Sequence, residues 1–370
     1  YVAYLFAHDA GSFGLNGSDN VITCGTFTTN ASGVATVTLG YEPQWILTKR
    51  TDAASPWLMR DNMRGWTAPS GAAQNLRANV SDAENTTDPS GLYPTATGFS
   101  VDSFWVGATS APFIYIAIRR GPMKPPTAGT SVFSPIASTA ATGTKLTTNF
   151  PIDLQINARR AVTTEKNYAY DRMRGISSTD TESGQRLTTQ STAGEASYAA
   201  TRFWDNTGFQ MPSINNTTSS IYWNFRRAPG FFDIVCYTGT GANRTVSHNL
   251  GAVPELWIMK ARSTTTFGSW TVGSTSLANT ELLYLETTNA KLTSAIAWNS
   301  TYPTSSAISL GTSPVVNESA ATYVAYLFAT VAGVSKVGSY TGTGTTKQID
   351  CGFTGGARFV LIKRTDNTGD

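Results

Sequence analysis

The sequence predicts an all-β chain of tandem β-sandwich, jelly-roll-like repeats of about 100–108 residues, and three observations predict it. Only 14% of the 370 residues are charged, while Thr, Ser, Gly, Asn and aromatic residues dominate, the profile of an extracellular all-β protein. Short runs of β-branched and aromatic residues are bounded by Gly, Pro, Asn, Asp and Ser, with no sustained helical periodicity. Four sequence markers also recur in constant order, the signature of a repeat architecture.

The first marker is a strand, PQWILTK at 43–49, PIDLQIN at 151–157, PELWIMK at 254–260 and ARFVLIK at 357–363; its last residues, Lys49, Asn157, Lys260 and Lys363, are 108, 103 and 103 residues apart. MRG follows at 63–65 and 173–175. A Gly-Phe or apolar strand comes next, at 97–103, 207–213 and 306–312, and an aromatic strand closes each copy, APFIYIAIRR at 111–120, SSIYWNFRR at 219–227 and ATYVAYLFA at 321–329. These boundaries place repeats at 14–122, 129–228 and 231–332. YVAYLFA at 1–7 recurs at 323–329 and KRTD at 49–52 recurs at 363–366, so residues 1–13 read as the terminal strand of a preceding repeat and 333–370 as the start of a truncated fourth. The same two recurrences make the larger block three units long. A unit of this size can bury a core without metal or disulfides.

In the first repeat the strand-like runs lie near 22–29, 33–39, 44–50, 56–61, 74–80, 97–102 and 112–120. The glycines of YTGTGANRTVSHNL at 237–250 and YTGTGTTKQIDCGF at 340–353 predict hairpins. The aromatic strand is central: Ile114, Ile116 and Ile118 face one way and Phe113, Tyr115 and Ala117 the other, so both faces need cover. In the second marker strand Leu154 and Ile156 point inward and Asp153 and Gln155 to water. The other copies place Trp45 and Leu47, Leu256 and Ile258, or Phe359 and Leu361 on that second face, where something must cover them. Residues 1–7 are expected to be a strand whose partners come from residues outside the sequence or from another chain. Cys24 and Cys236 fall at matching places in two copies and read as small buried residues.

Chemistry-bearing residues are sparse. The two histidines, His8 and His248, read as strand-edge or turn residues, and with three scattered cysteines they offer no metal-ligand spacing; no cofactor is implied. Asp82 and Glu84, and Glu182 and Glu195 in the equivalent segment of the second copy, are the carboxylates a glycan-cleaving pair would use, but the third copy has no acid there, and turn roles are the better reading. The TGTG segments lack the Lys and helix start of a phosphate loop. DNTGD at 366–370 alternates oxygen ligands as calcium loops do, yet TDAASP in the first copy does not keep them, which favours a turn. A net charge of +3 is too weak a field to argue for nucleic acid or an anionic membrane, and no apolar run reaches the roughly 18–20 residues of a membrane helix.

Contact chemistry is the remaining class. Basic pairs recur at strand ends, Lys49 and Arg50, Arg119 and Arg120, Arg159 and Arg160, Arg226 and Arg227, Lys363 and Arg364; they suit anionic sugars or phosphate groups, or a turn carboxylate such as Asp52. Trp66, Tyr93, Trp204 and Tyr302 suit stacking on sugar rings, or core and interface packing. The candidate contact set is therefore Trp66, Tyr93, Trp204, Tyr302, Arg119, Arg120, Arg226 and Arg227.

GSYTGTG, a marker strand ending in IKRTD, a D-x-x-RG element, a TGF strand and a final aromatic strand resemble a tandem repeat domain of unknown function in tail-fibre-like structural proteins of marine bacteriophages, especially cyanophages. The resemblance covers the whole chain and is strongest at 1–7, 98–120, 231–263 and 323–366. The second copy departs from it, with VFSPIAS in place of GSYTG and NARR in place of IKRT. It implies an extracellular, virion-surface tail fibre or similar appendage that contacts other virion proteins and a host cell-surface glycan or protein, self-associates into a fibre, inserts in no membrane and carries no catalytic residue. The alternatives are a glycan-active, tailspike-like depolymerase, which would concentrate acids in one groove, and a bacterial surface adhesin.

Overall fold

Where β-branched and aromatic residues alternate between turn residues, the chain forms strands. The computed structural model describes residues 1–67, 74–85, 91–102, 109–141, 143–160, 166–176, 183–199, 204–211, 219–263 and 266–368. Among these, helix is confined to Gly129–Ser131 and Pro314–Asn317, and no helix is long and apolar enough to cross a membrane. Glu182, Gly369 and Asp370 lie outside the described residues. The chain divides into two compact units, Tyr1–Lys124 with Arg172–Ser178, and Pro125–Asp171 with Thr179–Asp370.

The first unit contains one two-sheet module. Its strands are β1 (Ile22–Thr28), β2 (Ala35–Thr38), β3 (Pro43–Arg50), β4 (Leu58–Asp61), β5 (Leu76–Arg77), β6 (Leu92–Thr95), β7 (Gly98–Val101) and β8 (Pro112–Arg119). They pair as β1-β8-β3-β4-β5 and β2-β7-β6. The sequence reading missed β6, where Pro94 interrupts the strand signal; the structure keeps this proline on an edge strand, where a missing N–H is tolerated. Ile46, Phe113 and Ala117 of the larger sheet meet Leu92, Phe99 and Val101 of the smaller in one buried cluster, the arrangement of a sandwich core.

The second unit repeats the plan twice. Strands β9 (Phe133–Ser138), β10 (Lys145–Thr147), β11 (Leu154–Arg159), β12 (Tyr168–Asp171), β13 (Ser183–Thr188), β14 (Ala196–Ala199), β15 (Gly208–Gln210) and β16 (Ser220–Phe225) form sheets β14-β13-β12-β11-β16-β9 and β10-β15. Strands β17 (Phe232–Thr238), β18 (Arg244–Ser247), β19 (Leu256–Ala261), β20 (Thr271–Ser274), β21 (Glu281–Tyr284), β22 (Leu292–Thr293), β23 (Ala307–Leu310) and β24 (Thr322–Phe328) form β17-β24-β19-β20-β21-β22 and β18-β23. In all three modules the aromatic strand, β8, β16 or β24, has a neighbour on each side, the central place its composition predicts.

Two recurrent glycines have geometric reasons. Gly65 and Gly175, the last residues of the MRG markers, have φ of +92° and +107°, a left-handed backbone that L side chains rarely adopt. Asp61 closes the first of these turns by accepting from the N–H groups of Met63 and Arg64, each at 3.0 Å, and this explains the D-x-x-RG spacing. A Cβ on Gly98 would stand 1.9 Å from the Val37 carbonyl oxygen, and one on Gly208 2.0 Å from that of Leu146, so the TGF strands need glycine for close backbone approach.

Several expectations are corrected. Residues 1–7 form no strand and are exposed, whereas the recurrent segment at 323–329 lies in β24 and its first strand residues pair with β17 and β19. The segment 237–250 is not a hairpin: β17 pairs with β24 and β18 with β23, so the TGTG turn carries the chain from one sheet to the other. Residues 340–353 and the marker segment 357–363 contain no strand. Cys24 and Cys236 are half-buried, and they are not equivalent: Cys24 stands opposite Ile116, whereas Cys236 stands opposite Val324, the counterpart of Ile114.

The largest correction concerns the second marker strand. Lys49 stands opposite Ile114 and Lys260 opposite Val324, but the residue opposite Ile221 is Ala158, not Asn157. The motifs IYIAIRR and IYWNFRR fix Ile114 and Ile221 as counterparts, so the expected alignment was one residue out, and a one-residue slip reverses every side chain. Gln155 takes the inward place of Ile46 and Trp257, and Leu154 and Ile156 lie on the outer face with Trp45 and Leu47. Asp153 and Gln155 are accordingly 7% and 0% exposed, while Trp45 and Leu47 are only half-buried, the reverse of the expected order. The buried amide of Gln155 is matched by Asn224, whose Oδ1 accepts from Nε2 at 2.7 Å.

Candidate interaction surface

The strand-end arginines arise where the central aromatic strand leaves its sheet, next to the acid that precedes the marker strand. In the first module Arg120 pairs with Glu42 at 3.3 Å, in the second Arg227 pairs with Asp153 at 3.2 Å, and in the third Glu255 accepts from the N–H of Thr330 at 2.8 Å. Each module thus ties the exit of its aromatic strand to the entry of its marker strand. Arg227 is fully buried and also faces Asp233 of β17 at 4.0 Å, so it joins the second module to the third. Arg119 pairs with Asp19 at 2.9 Å and lies over the Tyr41 ring. Arg226 is half-buried, and its N–H donates to the Val132 carbonyl at 2.8 Å. The expected pairing of Arg50 with Asp52 is present at 2.5 Å.

The aromatic candidates separate in the same way. Trp66 is fully buried, with Nε1 donating to the Leu92 carbonyl at 2.9 Å, and Trp204 is buried as well. These two indoles are core residues, so of the two readings open for them it is packing, and not sugar stacking, that the structure shows. Tyr93 is half-buried beside Ser100, and burial pushes its phenol above the ordinary value. Tyr302 keeps an exposed ring, with its hydroxyl donating to the Leu277 carbonyl at 2.7 Å. Trp66 thus bonds to β6, the strand that also carries Tyr93.

The carboxylates and histidines are likewise engaged. Asp82 pairs with Arg77 at 3.2 Å, and Glu84 pairs with Arg64 at 2.9 Å, an arginine that also holds Asp61. His248 is buried with Nδ1 accepting from the Leu250 N–H at 3.2 Å, which leaves Nε2 to donate to the Thr304 carbonyl at 3.1 Å. Both ring nitrogens serve the backbone of a turn, and burial lowers the pKa below the ordinary histidine value. His8 accepts from the Cys24 N–H at 3.1 Å along the free edge of β1.

The richest chemistry lies where the second and third modules meet. Along β19, Trp257, Met259 and Ala261 enter the module's own core, so alternation turns Ile258 and Lys260 to the outer face. That face is closed: Lys260 and Val324 are 0% exposed, Tyr326 3% and Ile258 8%. Lys260 Nζ donates to the Thr192 carbonyl of the second module at 2.8 Å and to the Gly268 carbonyl of its own. Arg262 pairs with Glu195 at 3.1 Å, and the Glu195 N–H donates to the Arg262 carbonyl at 2.6 Å. The Tyr326 hydroxyl donates to Asp171 at 2.6 Å, Trp270 stacks on Tyr326, and its Nε1 donates to the Thr188 carbonyl at 2.9 Å. Burial pulls the Lys260 ammonium down to about 8, against the opposing charge of Glu286.

Thr192 and Glu195 belong to the connection between β13 and β14, the segment in which acids were weighed as a catalytic pair. Its actual work is to receive the next module's marker strand. The sequence held one signal for this: lysine ends PQWILTK, PELWIMK and ARFVLIK alike. Among the strand-end basic residues Lys260 was not singled out, and neither were Arg262, Tyr326 and Asp171.

Residues 1–122 and 136–370 match the family described as a Domain of unknown function (DUF7483). The chain belongs to that family. Its two matched segments take in the first module and nearly all of the second and third, so the repeated two-sheet plan and its junction lie within family sequence. No curated protein matches the chain.

Proposed function

We propose that the chain is a non-catalytic structural component of a bacteriophage virion, most simply a tail fibre or similar appendage that projects a host-contacting surface. The observation that carries the reading is the junction at Lys260: the ionisable groups with unusual surroundings, Lys260, Glu195, Arg262, Asp171 and Arg227, are used to join modules. The family resemblance of the repeat markers supplies the particle, and the exposed Tyr302 supplies an aromatic ring for weak surface contact. Multiple weak contacts on a repeated scaffold reach useful avidity without new chemistry. The partners under this reading are other virion proteins and a host cell-surface glycan or protein.

Immunogold electron microscopy with antibodies to this chain, on particles of a phage encoding it, tests the location. Label on tail appendages is expected, and particles without label contradict the reading. A release assay on host envelope polysaccharide tests the non-catalytic part: no turnover is expected, whereas turnover abolished by Asp82→Asn or Glu84→Gln replaces this reading with the depolymerase.

A further inference from the structure

Asn16 and Gly17 form the one Asn-Gly step in the sequence, and they lie in an exposed turn ahead of β1. A bridge between Phe13 and Asp19 closes the turn, with the Ser12 N–H donating to the Gly17 carbonyl at 2.9 Å and the Asp19 N–H donating to the Phe13 carbonyl at 3.1 Å. These bonds use the Gly17 oxygen and leave its N–H without an acceptor among the described residues. The Asn16 carboxamide has no partner among them either. Gly17 has φ of +69°, and no heavy atom lies within 4 Å of the place where a Cβ would stand. The side-chain carbonyl carbon and the next main-chain nitrogen are therefore both unhindered.

Other exposed asparagines are held. Asn30 Oδ1 accepts from the N–H groups of Ser32 and Val34 at 2.9 and 3.0 Å, which fixes its carboxamide. After Asn206 the Thr207 N–H donates to Asp205 Oδ1 at 2.7 Å. Asn299 is also followed by a small residue, but the Ser300 N–H donates to the Ala295 carbonyl at 3.1 Å, and the Ser300 carbonyl accepts from Asn279 Nδ2 at 2.8 Å. In each case the carboxamide or the nitrogen that would attack it is already engaged.

We propose that Asn16 is a site of spontaneous covalent modification, deamidation through a succinimide. The Gly17 main-chain nitrogen, giving up its proton to solvent base, bonds to Asn16 Cγ; the Cγ–Nδ2 bond breaks and Nδ2 leaves as ammonia. Water then opens the ring. Cleavage at Cγ leaves aspartate, and cleavage at the main-chain carbonyl carbon leaves isoaspartate, with the chain running on through Cβ and Cγ. Either product lowers the net charge of +3 by one and adds a carboxylate to the turn in which Asp19 already pairs with Arg119 at 2.9 Å. Isoaspartate also lengthens the main chain inside the loop that Ser12 and Gly17 close. The inference concerns the ageing of the chain itself and stands apart from its location on a particle.

Incubation of the full chain at pH 7.4 and 37 °C, followed by peptide mapping with mass spectrometry and by methyl transfer from S-adenosylmethionine with protein isoaspartyl methyltransferase, tests it. The folded chain is expected to gain aspartate and isoaspartate at position 16 at a rate within a few-fold of a free peptide spanning residues 12–20. In Ser300→Gly, position 299 gains the same dipeptide while the N–H bonded to Ala295 remains, and its deamidation is expected to stay roughly tenfold or more slower than that at position 16. Gly17→Ala is expected to slow the reaction at position 16 by a similar factor. An intact Asn16 in folded protein after the peptide has reacted overturns the proposal. Reaction at position 299 of Ser300→Gly as fast as at position 16 overturns the assignment of the site to the unhindered turn.

Discussion

Lys260 of the third module donates from Nζ to the backbone carbonyl of Thr192 in the second at 2.8 Å, and neither end of that bond is a conventional recognition element. The lysine is fully buried, and its acceptor is a main-chain oxygen in a connection between two strands. A main-chain acceptor is indifferent to the residue that carries it. Lys363 likewise donates to a main-chain oxygen, that of Thr287 at 2.8 Å, in a connection, TTNAK, whose other side chains differ from those of STAGE.

The buried ammonium sets a pH dependence. Unfolded, the lysine holds its proton to the ordinary 10.5; folded, it releases it at about 8, so between these values the unfolded chain binds more protons and stability rises with pH. Tyr323, pushed by burial up to about 12 from the ordinary 10.0, acts in the opposite sense, because above pH 10 the unfolded tyrosine loses a proton that the folded one keeps. Thermal unfolding across alkaline pH is expected to show a stability rise from about pH 8 to 10 and a fall beyond. In Lys260→Met the rise should vanish while the fall remains. A rise of equal size in the variant assigns the effect to another group.

Arg227 separates two buried carboxylates, Asp153 and Asp233. Removing the cation leaves both without their shared partner, so Arg227→Met is expected to destabilise the second unit by about 3–5 kcal/mol, read by urea denaturation with tryptophan fluorescence. Adding Asp153→Asn and Asp233→Asn should recover part of the loss. A loss below about 1 kcal/mol would place Arg227 among ordinary surface ion pairs.

Much of the fold was legible because it rests on patterns that survive in a single sequence. The all-β class, the central aromatic strand and most strands of the first module follow from alternation and turn residues. What failed did so for identifiable reasons. Strand registers were read from aligned motifs, and in PIDLQINA the missing lysine hid the position of Ala158, which reversed Asp153 and Gln155. The TGTG segment at 238–241 carries hairpin glycines, but β17 and β18, which it joins, find partners in different sheets, a choice made by long-range packing. The junction was the least legible part, since Lys260 and Arg262 resemble solvated strand-end residues until the second module covers them.

Close backbone approach predicts a local asymmetry between modules. Gly98→Ala would drive a Cβ to 1.9 Å from the Val37 carbonyl oxygen and is expected to cost about 1–3 kcal/mol by forcing β2 and β7 apart. In the third module Ala307 already stands at the corresponding place, paired with Ser247. Ala307→Gly is therefore expected to cost no more than about 1 kcal/mol, the backbone entropy of glycine in a strand. Comparable losses at the two positions, measured by chemical denaturation, would contradict the close-approach explanation.

The central claim, that the loop acids and strand-end cations bind one module to the next, is tested most directly by a double-mutant cycle on Glu195 and Arg262. Their side chains are 13% and 3% exposed and 3.1 Å apart, so the pair is screened little by solvent. Stability of the wild type, Glu195→Gln, Arg262→Gln and the double variant, from urea unfolding at pH 7, is expected to give a coupling energy of about 1–3 kcal/mol. Additive losses, with coupling within about 0.3–0.5 kcal/mol of zero, would contradict it.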